Sequence, residues 1–281
     1  MRSIILFISI ALLAALAGSA FAIRMSPAAF TAQNIPIGIE FDIGIPLTIR
    51  LSTEDTSAKL FNATPLLPSE VRDEWLAGYE EIPDAGYLMI EGDGPLLVEP
   101  GEPVVRKMFI GFPDDSSLLN RHFMVQLRVM PQEVTGMFQA VLVGSYLLET
   151  KSTEDRFTRP GGQPFSAAPS LLVLDSTGRG IVRVYNNIDH ALRLEARIDA
   201  PLQSDKLKVE LTRGFVRGPL NERIRVIEPE FLVQAGGFMD VTVEMDESLR
   251  QGQSRNTEYL LWINEPDGKS QSCFIRIHYR P

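Results

Sequence analysis

Cysteine, histidine and tryptophan are scarce in this 281-residue sequence, which has one cysteine, three histidines and two tryptophans. The single cysteine, Cys273, excludes an internal disulfide, so buried apolar side chains have to stabilise the fold. His122, His190 and His278 lie far apart in the chain, without a second histidine at metal-ligand spacing. No G-x-S-x-G motif marks a serine nucleophile. We therefore predict no catalytic residue, metal site or cofactor, and expect a binding protein rather than an enzyme.

Basic clusters are also missing, and only one long apolar run is present, at the N-terminus. The formal net charge of −9 disfavours nucleic acid and anionic membranes as partners. Arg2 precedes an apolar stretch over residues 4–17, and Ala20-Phe21-Ala22 has small residues at both positions of a cleavage site. This pattern predicts a signal peptide over residues 1–22 and an exported chain that does not insert into the membrane after cleavage.

Alternating apolar and polar side chains dominate the rest of the chain. Alternation runs through residues 43–51, 182–185, 192–198 and 241–245, with Gly, Pro, Asp and Asn between the segments. A period of two is typical of antiparallel strands with one buried face, and many short strands of this kind predict a sandwich. Residues 68–78 are the exception, and they predict one short helix or helical loop.

Two side chains of the later strands are predicted to lie in a core. In the segment from Cys273 to Tyr279, the alternation places Cys273 on the same face as Ile275 and Ile277. Trp262 lies in an apolar segment, and we expect its ring to be largely buried near Val241 or Val243.

The strand segments fall into two groups with the same internal order. Residues 151–169 are rich in turn formers and separate the groups. Leu97 in the first group and Leu232 in the second each precede a glycine turn, at Gly101 and Gly236. The sequence therefore predicts an all-β fold of two immunoglobulin-like β-sandwich domains in tandem: residues 23–150, a linker over 151–169, and residues 170–281.

Several motifs of the first group, taken in order, resemble the periplasmic chaperones of the chaperone–usher pilus pathway. Arg24-Met25-Ser26-Pro27 is similar to the first-strand motif of that family, an Arg followed shortly by Pro. Leu97-Val98-Glu99-Pro100-Gly101 resembles its apolar–Pro–Gly turn, and residues 112–131 resemble its Pro-Asp turn and the long strand after it. The resemblance implies two immunoglobulin-like domains that bind exported, pilus-type subunits by edge-strand addition, with an outer-membrane usher as a further partner.

The resemblance also implies where a subunit would bind. Residues 138–145 fall where the family has its subunit-binding strand, and Arg24 would hold the terminal carboxylate of the subunit. The family pairs this Arg with a Lys late in the strand, and this sequence has Leu148 there. Phe138 and Leu142 look like the face turned to the core. The alternate face is left for the partner, so the predicted partner-binding residues are Arg24, Met137, Val141 and Val143.

Three classes of function stay open at this point. The first is a periplasmic chaperone-like protein that stabilises exported subunits through an edge strand. The second is a secreted or cell-surface structural or adhesive module without chaperone activity. The third is an enzyme or a sugar-binding sandwich whose site carries no recognised motif.

Overall fold

The computed structural model describes residues 23–71, 78–92, 94–133, 140–199, 209–220, 223–252, 254–266 and 272–281. The predicted signal peptide lies outside these residues. Within the described ranges the chain consists almost entirely of strands and their connections. None of the helices in these ranges has the length and apolar character that crossing a membrane requires.

The first group of strands forms three sheets. Their orders are β1-β4-β9, β3-β10-β7 and β2-β12-β11-β5-β8, with β6 also paired to β11. Short 3-10 turns cover Pro68–Glu70, Ala85–Tyr87 and Ser116–Leu118. The strands are β1 (Ile23–Ser26), β2 (Ala29–Ile35), β3 (Glu40–Asp42), β4 (Leu47–Leu51), β5 (Lys59–Leu66), β6 (Glu80–Glu81), β7 (Leu88–Ile90), β8 (Leu96–Val98), β9 (Pro103–Arg106), β10 (Met108–Gly111), β11 (His122–Pro131) and β12 (Leu142–Thr150).

The second group forms two sheets. Their orders are β13-β15-β20-β18 and β14-β22-β21-β16-β19, with β17 also paired to β21. One short helix, α1 (Glu247–Gly252), follows β20. The strands are β13 (Phe165–Ala168), β14 (Leu171–Val173), β15 (Arg179–Asn186), β16 (Leu192–Asp199), β17 (Val216–Arg217), β18 (Ile224–Val226), β19 (Glu230–Val233), β20 (Phe238–Met245), β21 (Thr257–Asn264) and β22 (Ser272–Tyr279).

The two large sheets repeat one topology. β8 and β19 are the last strands of their sheets, and they carry Leu97 and Leu232, with exposed fractions of 55% and 56%. The glycines after these strands, Gly101 and Gly236, both have a positive φ, of 80° and 64°, which favours glycine in each turn. The predicted repeat and the predicted all-β fold of two immunoglobulin-like sandwiches are therefore confirmed.

Each group of strands encloses a core of its own. The first core contains buried side chains from Phe30 to Leu148, and the second contains buried side chains from Phe165 to Tyr279. Cys273 packs against the second core beside Ile275 and Ile277, as the alternation predicts. Burial raises the pKa of the Cys273 thiol to about 12, and Glu80 adds to this effect. The thiol is therefore protonated at neutral pH, which suits a packing role.

One local prediction differs from the structure. Residues 165–168, which the sequence places in the linker, form strand β13 and pair with β15. This strand is short and is bounded by Pro164 and Pro169, so its sequence looks like a turn. In the predicted helical segment, Pro68–Glu70 is a 3-10 turn that begins after Leu67, which agrees with the expected short helix or helical loop. Residues 72–77 of that segment lie outside the described residues.

A third apolar cluster joins the two sandwiches, and it changes the expected environment of Trp262. Trp262 is buried, as predicted, with 7% of its surface exposed. It does not lie near Val241 or Val243, because it points to the outer face of β21. There the first sandwich covers it, and its ring centroid lies 5.3 Å from that of Phe274. The complete cluster consists of Tyr79, Met124, Leu147, Val209, Leu260, Trp262 and Phe274.

Candidate functional site

The outer face of β12 is covered at one end and open at the other. Leu147 and Glu149 on this face are buried against the second sandwich. Val143 and Val141, towards the start of the strand, are 39% and 45% exposed. Leu142 and Leu148 point the other way and contact the first core. Met137 and Phe138, at the start of the predicted subunit-binding strand, lie outside the described residues.

The open end of β12 also has an unpaired edge. β2 pairs with β12 only from Ser145 onward, whereas β11 pairs with it from Leu142. The N–H of Ser145 donates to the carbonyl of Ala28 over 3.0 Å, on the β2 side. Because backbone groups alternate along a strand, Val143 directs its N–H and C=O to that same side. No strand of the described residues pairs with this edge at Val143, so a partner strand could bind there.

Arg24 lies on β1, a strand that contacts β12 through the next residue, Met25. The Arg24 side chain is exposed, and it has no hydrogen bond or ion pair within the described part of the chain. Its neighbour Met25 approaches β12 so closely that a Cβ on Gly144 would lie 3.0 Å from the Met25 methyl carbon. Arg24 is directly opposite Arg50 in the β1–β4 register. Two opposed cations repel each other, so an anion between them would be favourable.

Arg128 and Gln126 adjoin the open end of β12, and sequence analysis did not single them out. Arg128 is the direct neighbour of Val143, and Gln126 is the neighbour of Ser145. The Arg128 Nε atom and the Gln126 Oε1 atom are buried without a hydrogen-bond partner in the described part of the chain. Buried polar atoms are normally paired, so this pair marks a place where a polar partner group could be received. The sequence signal that could have identified them is a pair of polar residues at alternate positions of an otherwise apolar strand.

The covered end of β12 is fixed by a buried ionic network that spans the two sandwiches. The Arg276 guanidinium donates to both carboxylate oxygens of Glu149 over 2.6 Å, and it also donates to Glu258. His278 Nε2 lies 2.9 Å from Glu258, and the Tyr79 hydroxyl donates to Glu149 over 2.7 Å. Breaking these buried charge-assisted hydrogen bonds would leave charges unpaired, so the network holds the second sandwich beside the open end of β12.

The charges in this network support one another. Burial would raise the pKa of the Glu149 carboxyl, but Arg276 beside it holds that pKa below its usual value. Burial likewise opposes the charge of Arg276, yet Glu149 and Glu258 raise the pKa of the guanidinium. The nearby His122 stacks on Phe274, with 4.0 Å between ring centroids, and burial lowers its pKa to about 4. His122 is therefore neutral at physiological pH, whereas Glu149 and Arg276 are charged.

The potential metal ligands of the described ranges are scattered. No cluster of three or more His, Cys, Asp or Glu side chains there is arranged to hold a metal ion. His122 is buried in the contact between the sandwiches, and His278 is buried within the second sandwich against Phe215 and Glu258. His190 is exposed beside Asp189. Among the described residues, the arrangement at β12 offers backbone hydrogen bonds, two exposed valines and two arginines without an ion-pair partner, which are means of binding an extended chain.

Proteins similar to this chain were found only among solved structures. No family model matches the chain, and no curated protein matches it. A protein of unknown function from Porphyromonas gingivalis W83 is 11% identical over 92% of this chain and 99% of that chain, with a TM-score of 0.33. A chain of the CsuC–CsuE chaperone–subunit complex from Csu pili of Acinetobacter baumannii is 10% identical, with coverages of 94% and 100% and a TM-score of 0.31.

A third similar structure is the SafA pilin in complex with the SafB chaperone from Salmonella enterica. Its identity is 8%, its coverages are 94% and 99%, and its TM-score is 0.30. Pilus chaperones, which the sequence resembles, are thus also found among the similar solved structures. The fold of the present chain is established by its own strand pairing.

Proposed function

We propose that this chain is a periplasmic chaperone-like binding protein that stabilises exported, pilus-type subunits by adding an edge strand to them. The observation that carries the proposal is the open end of β12. There Val141 and Val143 are exposed, and the backbone of Val143 faces an unpaired edge. An incomplete sandwich of a subunit could pair with this edge and accept both valine side chains. The protein acts by binding and performs no catalysis.

Arg24 and Arg128 would supply positive charge for a partner bound at the open end of β12. Both have unsatisfied hydrogen-bonding capacity within the described residues, and Arg128 adjoins Val143 directly. An arginine binds a carboxylate more strongly than it binds a neutral group. We propose that Arg24 anchors the terminal carboxylate of the subunit and that Arg128 assists it. Arg128 would then supply the second positive charge that the family obtains from a Lys.

The double substitution Val141→Glu with Val143→Glu tests the proposal. Both side chains are exposed, so we expect an unchanged melting temperature. Two carboxylates in an apolar contact would be desolvated, so exported subunits should no longer co-purify from the periplasmic fraction of the native host. Mass spectrometry of the co-purified proteins is the measurement.

The matched control is Leu60→Glu with Leu97→Glu. These leucines are opposite each other on β5 and β8, and they are 40% and 55% exposed at the far edge of the same sheet. The control should retain the co-purified subunits. Unfolding of the valine variant, or equal retention of subunits by both variants, would show that the β12 edge does not bind them.

A further inference from the structure

The second sandwich has an unpaired sheet edge of its own, at β14. β14 is the end strand of its sheet and pairs only with β22. Arg276 donates its N–H to the Ser170 carbonyl, and Leu174 donates its N–H to the His278 carbonyl. The backbone N–H and C=O groups of the even-numbered residues, from 170 to 174, therefore face β22. Those of Leu171 and Val173 face away from it. Ser152 Oγ accepts the N–H of Leu171 over 3.0 Å, and no described strand pairs with Val173 on that side.

A groove of about 550 Å³ runs along this edge, between β14 and the segment before it. Its apolar lining is exposed to an unusual degree: Phe157 is 64%, Val173 is 52% and Ile181 is 39% exposed. Ile181 belongs to a part of β15 that β13 does not reach, since β13 pairs only with Arg183–Asn186. The unpaired edge of β14 and the uncovered part of β15 thus meet at one apolar groove. Soluble proteins usually cover unpaired sheet edges and large apolar patches.

The rim of the groove is acidic. Glu154 is exposed and has no partner within the described part of the chain. Asp155 accepts the N–H groups of Phe157 and Thr158 with one carboxylate oxygen, and its other oxygen makes no hydrogen bond within the described residues. The rim also carries one cation, Arg156, which lies 3.4 Å from Asp240, a carboxylate that it shares with Arg183. With two carboxylates against one guanidinium, the rim is negative on balance. The charge complementary to this rim is positive.

We propose that this groove binds an extended segment of a partner protein in which apolar and basic residues alternate. The segment adds to β14 through the free backbone groups of Val173, and its apolar side chains contact Val173, Ile181 and Phe157. Its basic side chains lie beside Glu154 and Asp155. A second copy of this chain fits less well, because pairing two copies at this edge would bring two acidic rims together.

Synthetic hexapeptides test both the edge and the charge. The first probe is acetyl-Lys-Val-Lys-Val-Lys-Val-amide, and the second replaces each Lys by Glu and keeps the valines. Amide resonances of the ¹⁵N-labelled protein are followed by NMR during titration. We expect the lysine peptide to shift the amides of Leu171, Val173 and Ile181, and the glutamate peptide to leave them unchanged.

Two matched variants locate the binding. Val173→Lys should weaken binding of the lysine peptide about tenfold, through the loss of one buried valine and an added repulsion. Leu232→Lys changes an equally exposed side chain on β19, at the opposite end of the same sheet, and should keep the affinity of the unaltered protein.

Three outcomes would overturn the proposal. The first is the absence of shifts at β14 with the lysine peptide, and the second is equal affinity for both variants. The third is self-association of the protein, measured by sedimentation, that Val173→Lys abolishes, because the edge would then serve a second copy.

Discussion

At the scale of single residues, the most informative side chains are polar ones in apolar surroundings. Gln126 and Arg128 lie on a strand whose other face is part of the first core, and each carries a buried polar atom without a partner in the described part of the chain. Leaving such atoms unpaired costs free energy, so a structural role alone does not account for them. Their position beside Ser145 and Val143 connects them with the open end of β12.

His122 makes the stability of the protein depend on pH. Burial lowers its folded-state pKa to about 4, whereas an unfolded histidine has a pKa of about 6.5. The unfolded chain therefore takes up a proton first as the pH falls, and the unfolding free energy decreases between about pH 6.5 and pH 4. The loss is on the order of 3 kcal/mol. Glu149, Arg276 and the backbone of Gly78 are the groups that act on this ring.

His122→Gln should flatten this pH dependence, because glutamine does not titrate. Urea denaturation at a series of pH values between 4 and 7 measures the effect. His190→Gln is the matched control, since His190 is exposed, and its profile should follow that of the unaltered protein. A profile for His122→Gln as steep as that of the unaltered protein would mean that other groups cause the acid sensitivity.

At the scale of secondary-structure elements, one strand can have a core on each face. Tyr259, Leu261 and Ile263 of β21 point into the second core. Leu260 and Trp262 of the same strand point outward and are buried by the first sandwich. Alternation along a sequence separates the two faces but does not say what covers the second one. This is why the burial of Trp262 could be predicted from the sequence, whereas the residues that contact its ring could not.

Trp262→Ala should destabilise the protein strongly, since it empties the contact between the sandwiches. We expect a loss of about 3–5 kcal/mol in unfolding free energy, as for other large aromatic residues truncated in packed surroundings. Phe238→Ala serves as the control, because 55% of Phe238 is exposed, and the loss of its contact with the Arg183 guanidinium should cost about 1 kcal/mol. Equal and small effects of both substitutions in urea denaturation would show that the interface contributes little.

At the scale of the whole molecule, the contact between the sandwiches determines how much of β12 is available. The same outer face carries Val143, which is exposed, and Glu149, which is buried by Arg276 of the second sandwich. Glu149 and Arg276 are 127 positions apart in the chain. The buried network therefore links the exposure of the open end of β12 to the relative placement of the two sandwiches.

Arg276→Met tests this link, because it leaves Glu149 and Glu258 buried beside an apolar side chain. Removing one partner of a buried ionic network typically costs about 3–5 kcal/mol of unfolding free energy. Arg193→Met is the control, since its pair with Glu230 is exposed and should contribute less than about 1 kcal/mol. Urea denaturation of both variants measures these losses. A loss for Arg276→Met no larger than that for Arg193→Met would contradict the structural role of the network.

The sequence by itself determined the features that depend on local periodicity. Alternation with a period of two identified the all-β class, the repeat around Leu97 and Leu232, and the two faces of β12, because adjacent side chains of a strand point to opposite sides wherever that strand lies. Turn-forming residues indicated the division near residues 151–169. The strand at 165–168 was missed, because four residues between prolines show no period.

Only the tertiary structure decided which outward faces remain exposed. Docking of the second sandwich covers Leu147 and Glu149 but leaves Val141 and Val143 open. It also assembles the network of Glu149, Arg276 and Glu258, and the strand pairing places Arg128 beside Val143. These contacts join residues that are distant in the chain, and their energy depends on burial and distance, which no local pattern of side chains records.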